Sequence, residues 1–266
     1  MRSLASYMEV ARQFLVQTSA SFNPAAPWSE RIESYRTWCL ALKMLAYGHL
    51  LVNCNAPQFF VHLFRAAANW RELLASAQAE QQRVPASMND PFLGAIAAGQ
   101  MNLALDIADL SARELTDPEY DDEFLSAFFL QEYVRTRAGR TDAAPLELIC
   151  QQLEDFLGEA CPRTEAYRAL VHRDWAVFDE AFRSWTEETA ASMADPNAPG
   201  ATFSSGITRH IWLEGLAVFH LARAAGFESL PESRPLLPQL ILQPPQALAE
   251  TTPWLLGQAH IMEDTA

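Results

Sequence analysis

Five carboxylates fall within seven positions at residues 117–123: Asp117, Glu119, Asp121, Asp122 and Glu123, with no Lys or Arg among them. Glu114 and Asp109, shortly upstream, are placed to extend the same charge across a connecting turn. Three kinds of chemistry could use such a density: a helix cap, a metal site, or a surface that meets a basic partner. Asp117 before Pro118 fits an N-cap followed by Pro at the first helical position. Acids in a first turn gain about 0.3–1 kcal/mol each from the helix dipole. That benefit fades after one turn while adjacent acids repel, so a cap explains where the cluster lies but not how dense it is.

The metal readings are weak. A di-iron bundle needs Glu-x-x-His pairs on facing helices, and none of the six histidines has an acid three residues before it. A calcium loop needs regularly spaced oxygens around a Gly, and no Gly lies in 117–123. Four cysteines, Cys39, Cys54, Cys150 and Cys161, contain no C-x-x-C. No metal and no cofactor is expected.

Catalytic motifs are missing too: there is no G-x-S-x-G, no Walker-type Gly loop and no H-E-x-x-H. His172 reads as a polar turn residue, and His210 with Glu214 as an i,i+4 surface pair on one helix. Trp70 and Trp175 read as packing residues where two helices restart. No enzyme is expected. The cluster, with Tyr120 inside it, is left as a partner-binding surface: Asp109, Glu114, Asp117, Glu119, Tyr120, Asp121, Asp122 and Glu123.

The elements that must position it are helical. Apolar residues recur every three to four positions, and no alternating strand pattern persists. "WSERIESYRTWCLALKMLAYGHLLV" reads as one long helix capped by Ser29, with Ile32, Tyr35, Leu42 and Leu45 facing inward. The helix after Pro57 is expected to break near Asn69. "FRAAANWRELLASA", "IAAGQMNLALDIADL" and "YRALVHRDWAVFDEAFRSW" each read as a helix, a short polar step and a second helix. In the segment after the acids, Phe124, Leu125, Phe128, Phe129, Leu130, Tyr133 and Val134 point in nearly every direction, as a central buried helix requires.

The expected fold is all-α, a repeat-like bundle of stacked antiparallel helix hairpins. Residues 1–192 form the main bundle, and 193–208, rich in Pro, Gly and Ser, form a loop or linker. Residues 209–266 add a last helix stopped at Gly226 and an irregular tail on the same core, fraying towards its end.

Nineteen basic and thirty-three acidic residues give a net charge of −14 and a pI near 4.8. Such a chain is repelled by nucleic acid and anionic lipid and attracted to basic proteins. With no unbroken apolar run near the N-terminus and none of the roughly 20 residues a span needs, a cytoplasmic location is expected. The aromatic content suits a homodimer face as well as a core.

"FLGAIAAGQMNLALDIADLS", "EYDDEFLSAFFLQEYV", "YRALVHRDWAVFDEAFRSW" and the ending "IWLEGLAVFHLARAAGFESLPESRPLLPQLI", together spanning about residues 57–242, resemble helical immunity proteins of bacterial polymorphic-toxin and type VI secretion systems, the immunity protein 49 family above all. Two-part immunity proteins directed at another nuclease class share a similar ending. The resemblance implies a non-enzymatic antidote that neutralises a cognate secreted toxin, a nuclease effector in the cytoplasm; charge complementarity, not the resemblance, adds that the acids cover its basic active surface. It carries no catalytic residues over. A helical adaptor or chaperone for a secreted effector is the alternative, and a metal-dependent helical lyase or cyclase a third.

Overall fold

The computed structural model describes residues 3–195, 205–228, 234–245, 248 and 252–258. Among these there are eleven α-helices, one 3-10 turn and no strand, so the all-α expectation holds. The path begins with α1 (Leu4–Ser21), α2 (Trp28–Asn53) and α3 (Ala56–Ala79). It continues through α4 (Asp90–Ala97), α5 (Met101–Leu110), α6 (Asp121–Arg137) and α7 (Ala144–Leu157). The last five elements are α8 (Pro162–His172), α9 (Trp175–Ala194), the single turn α10 (Ser205–Thr208), α11 (Leu213–Ala225) and the 3-10 turn Gln239–Ile241.

Most helices pack on their neighbours in sequence, because the turns between them are too short to do otherwise. α2 ends on Cys54 in the left-handed region at φ 50°, and Asn55 already caps α3 by accepting from the Gln58 amide at 3.1 Å. α4 turns into α5 over Gly99 at φ 71°. α8 turns into α9 over Arg173 at φ 56°, after which Asp174 caps by accepting from the Val177 amide at 3.2 Å. Two of the three expected hairpins are therefore present. The third is not, since α3 runs unbroken through Asn69 and Trp70 sits mid-helix.

The reason is tertiary. The Asn69 side chain, fully buried, donates to the Arg65 carbonyl one turn back at 2.8 Å and to the Trp254 carbonyl at 3.1 Å, and it accepts from the Leu256 amide at 2.8 Å. Arg65 adds a bond to the Thr252 carbonyl at 3.1 Å and lies over the Trp254 ring. A residue suited to breaking a helix instead holds residues 252–258 against it. That part of the tail is docked, while residues 259–266 lie outside the described residues.

Three smaller corrections concern helix ends. Pro27, not Ser29, is the N-cap of α2. α9 extends through Ala194, and of the expected loop at 193–208 the described residues 205–208 are helical, with 196–204 outside the description. α11 starts only at Leu213, so His210 is not on it. Gly226 stops α11 at φ 112° as expected.

One contiguous core runs from Met8 to Leu256. Its centre is aromatic: Phe129 of α6 stacks on Tyr167 of α8 with centroids 4.1 Å apart, and Trp185 meets Tyr167 and Trp212 edge-on. α6 is enclosed on nearly all sides and even buries Gln131, Glu132 and Arg135.

Candidate binding surface and adjoining cavity

The acidic cluster divides on inspection into residues used internally and residues left facing outward. α6 begins at Asp121 with Tyr120 as N-cap, so Asp117 and Pro118 lie in the preceding turn, not at the helix start. The expected Asp117 cap is replaced by a different anchor. Glu119 accepts from the backbone amides of Ser87 at 2.6 Å and Thr116 at 2.8 Å, tying the loop before α4 to the loop before α6. Asp109 pairs at 3.1 Å with Arg135, which Glu132 approaches at 3.4 Å. Glu114 pairs with Arg83 at 3.3 Å.

The remaining five, Asp117, Tyr120, Asp121, Asp122 and Glu123, make no ion pair among the described residues. Asp121, Asp122 and Glu123 occupy the first turn of α6, where the helix dipole favours them. Tyr120 stands in their midst with 70% of its surface exposed. A large ring held open beside unpaired carboxylates, on the end of a helix whose body is buried, is a rigid feature.

Behind that edge the described residues line an open cavity of about 690 Å³. Its walls come from Lys43 and Tyr47 of α2, Asn89 to Leu93 around the start of α4, Glu123 and Ser126 of α6, Arg163 of α8, Trp185 and Thr189 of α9, and Ile211 to Glu214 at the start of α11. The geometry follows from helical spacing. Asp122 and Ser126 are four apart on α6, and Arg163 and Tyr167 are four apart on α8, so each pair shares a face. Since Phe129 stacks on Tyr167 one turn deeper, Arg163 comes level with the Asp122–Ser126 turn.

The charges in this cavity are unevenly satisfied. Lys43 and Asp90 neutralise each other at 2.5 Å. Glu214 accepts from the Tyr167 hydroxyl at 2.9 Å, so it is no surface partner of His210. Burial pushes its pKa above the usual carboxylate range, against the pull of Arg163. Burial pushes the Tyr167 hydroxyl up strongly as well, helped by Glu214, so the phenol stays the donor. Among the described residues Arg163 makes no ion pair; burial works against its charge, but nearby Tyr167, Glu214 and Asp122 hold it cationic. Ser126, only 5% exposed, has an Oγ with no hydrogen-bond partner.

Sequence reasoning missed this constellation because its members are scattered over six helices. One sign was available: Ser126 is a small hydroxyl inside the otherwise apolar "FLSAFFL" run. Among the described residues no group of three or more His, Cys, Asp or Glu could hold a metal ion. No described helix is long and apolar enough to cross a membrane. Burial raises the Cys150 thiol to about 12 and raises Cys39 as well, which makes both inert as nucleophiles at neutral pH.

No family model matches the chain, and neither a curated protein nor a solved structure matches it.

Proposed function

We propose that this chain is a non-catalytic cytoplasmic antidote that binds a cognate secreted toxin, a nuclease effector of a type VI secretion system, and covers its basic active surface. The observation that supports it best is Tyr120, widely exposed among Asp117, Asp121, Asp122 and Glu123, none of which forms an ion pair among the described residues. An aromatic anchor flanked by unpaired acids suits a surface whose own task is to hold phosphate. The net charge of −14 adds a long-range field that steers a basic partner inward. Because α6 is packed on nearly every side, the acids are presented without an ordering cost on binding.

Asp109, Glu114 and Glu119 serve the fold in this reading, and the contact centres on the other five. The test begins with capture of the partner from producing cells and its release by rising salt. Asp117→Asn, Asp121→Asn, Asp122→Asn and Glu123→Gln combined, with Glu119 left intact, should weaken affinity and flatten its salt dependence. Tyr120→Ala alone should cost more than about tenfold in affinity. Full protection of cells and unchanged affinity in both folded variants would remove this surface from consideration. Recovery of a secretion component with many cargos would favour an adaptor.

A further inference from the structure

The cavity behind α6 has a role that the acidic edge does not explain. At about 690 Å³ it lies within the roughly 300–1,000 Å³ range of small-molecule sites. Two polar groups in it make neither a hydrogen bond nor an ion pair among the described residues. The Ser126 Oγ is buried and bonded to nothing, which costs free energy unless something meets it. The Arg163 guanidinium, a planar fork of donors, lines the same cavity and forms no ion pair among the described residues, although Glu214 and Asp122 lie near enough to favour its charge.

Of the acids at or near the cavity, which also include Asp195, four do not fill that need. Asp90 is taken by Lys43, and Glu214 by the Tyr167 hydroxyl. Asp122 acts on Arg163 only at a distance, and Glu123 sits at the exposed rim. Trp185 and Trp212, which meet edge-to-face at 4.6 Å, line the same cavity and add indole surface beside Glu214. The cavity therefore sets a guanidinium and a buried hydroxyl beside indole surface, a lining that suits an oxyanion carried on a flat apolar body.

We propose that this cavity binds a small organic anion, a flat molecule bearing one carboxylate or phosphate group, with Arg163 and Ser126 holding the oxyanion and Trp185 and Trp212 the ring. Bidentate Arg–oxyanion pairing would place the group at the α6–α8 junction, where the Ser126 hydroxyl donates the third bond. This reading is independent of any protein partner.

The test is calorimetric titration of the full chain with benzoate, phenyl phosphate, inorganic phosphate and benzyl alcohol. One saturable site is expected for benzoate or phenyl phosphate, and the tighter of the two tells which oxyanion the site prefers. Both inorganic phosphate, which lacks the ring, and benzyl alcohol, which lacks the charge, should bind more weakly. Arg163→Gln should lose about tenfold or more for the aromatic anions, and Ser126→Ala about threefold, with benzyl alcohol unaffected. Arg163→Lys, which keeps the charge but not the fork, should fall between and serves if the Gln variant does not fold. Absence of saturable binding by both aromatic anions at millimolar concentration would overturn the proposal. So would equal binding by the wild type and the folded Arg163 and Ser126 variants.

Discussion

At the scale of single residues, two buried histidines make this protein sensitive to acid. His62 stacks on His49 at 5.2 Å and meets the Trp254 ring edge-on at 5.7 Å. Burial, with Arg65, His49 and Arg12 adding to it, lowers its pKa from the usual 6.5 to about 3. His220 bonds through Nε2 to the Ile241 carbonyl at 3.1 Å, and burial lowers its pKa to about 4 despite that bond. Both are neutral when folded, whereas the unfolded chain takes up their protons below about pH 6.5. Stability is therefore fully present above that pH. It is lost as pH falls towards 4 for His220 and 3 for His62, each adding up to about 1.4 kcal/mol per pH unit to the slope. His62→Phe, which keeps the ring contacts without the titrating nitrogen, should flatten the decline in melting temperature between pH 6 and 4, set as a convenient window of about two units. An unchanged slope in the folded variant would assign the acid lability elsewhere.

At the scale of elements, the docking of residues 252–258 on α3 depends on one amide. Asn69 supplies both a donor and an acceptor to that segment, and the Leu256 amide has its partner there. Asn69→Ala leaves that buried N–H unmet and opens space in the core, so it should cost about 2–4 kcal/mol in denaturant unfolding. Asn69→Asp, which keeps the acceptor and loses the donor, should still destabilise. Exchange of the Leu256 amide hydrogen should speed up in both variants before any global unfolding. Protection at Leu256 identical to that of the wild type would mean that Arg65 and Trp254 hold the segment without Asn69. α1 and α2 meet with similar closeness: a Cβ at Gly48 would stand 2.2 Å from the Met8 Cγ, so any larger residue there would force the Met8 side chain to move.

At the scale of the whole molecule, the core joins every large helix, and the segment after residue 208 belongs to it through Ile211, Leu216, Phe219 and Trp254. α11 packs on α4, far away in sequence, and α10 on α1 and α2. A core continuous from Met8 to Leu256 should unfold as one unit. Melting followed by peptide circular dichroism and by tryptophan fluorescence should give coincident curves. Two separated transitions would show that residues 209–258 fold apart from the rest.

The helical class, the burial of α6 and the stop at Gly226 were legible in the sequence, because period-3.6 apolar spacing and a left-handed glycine act locally. The ends of α2 and α8 were harder to read, since Cys54 and Arg173 adopt the left-handed region without being glycine. Asn69 looked like a break because its weak helix propensity is a local property, and the partners that override it lie some 187 residues away. The sequence by itself determined a strongly acidic helical protein with a charge-dense entrance to its central helix. Tertiary structure alone decided which acids are free. Glu119, Asp109 and Glu114 look the same as Asp121 in the sequence, but they face amides and guanidinium groups that only folding brings within reach. The cavity between α6, α8 and α11 was decided the same way, by the contact of helices that one-dimensional spacing cannot relate.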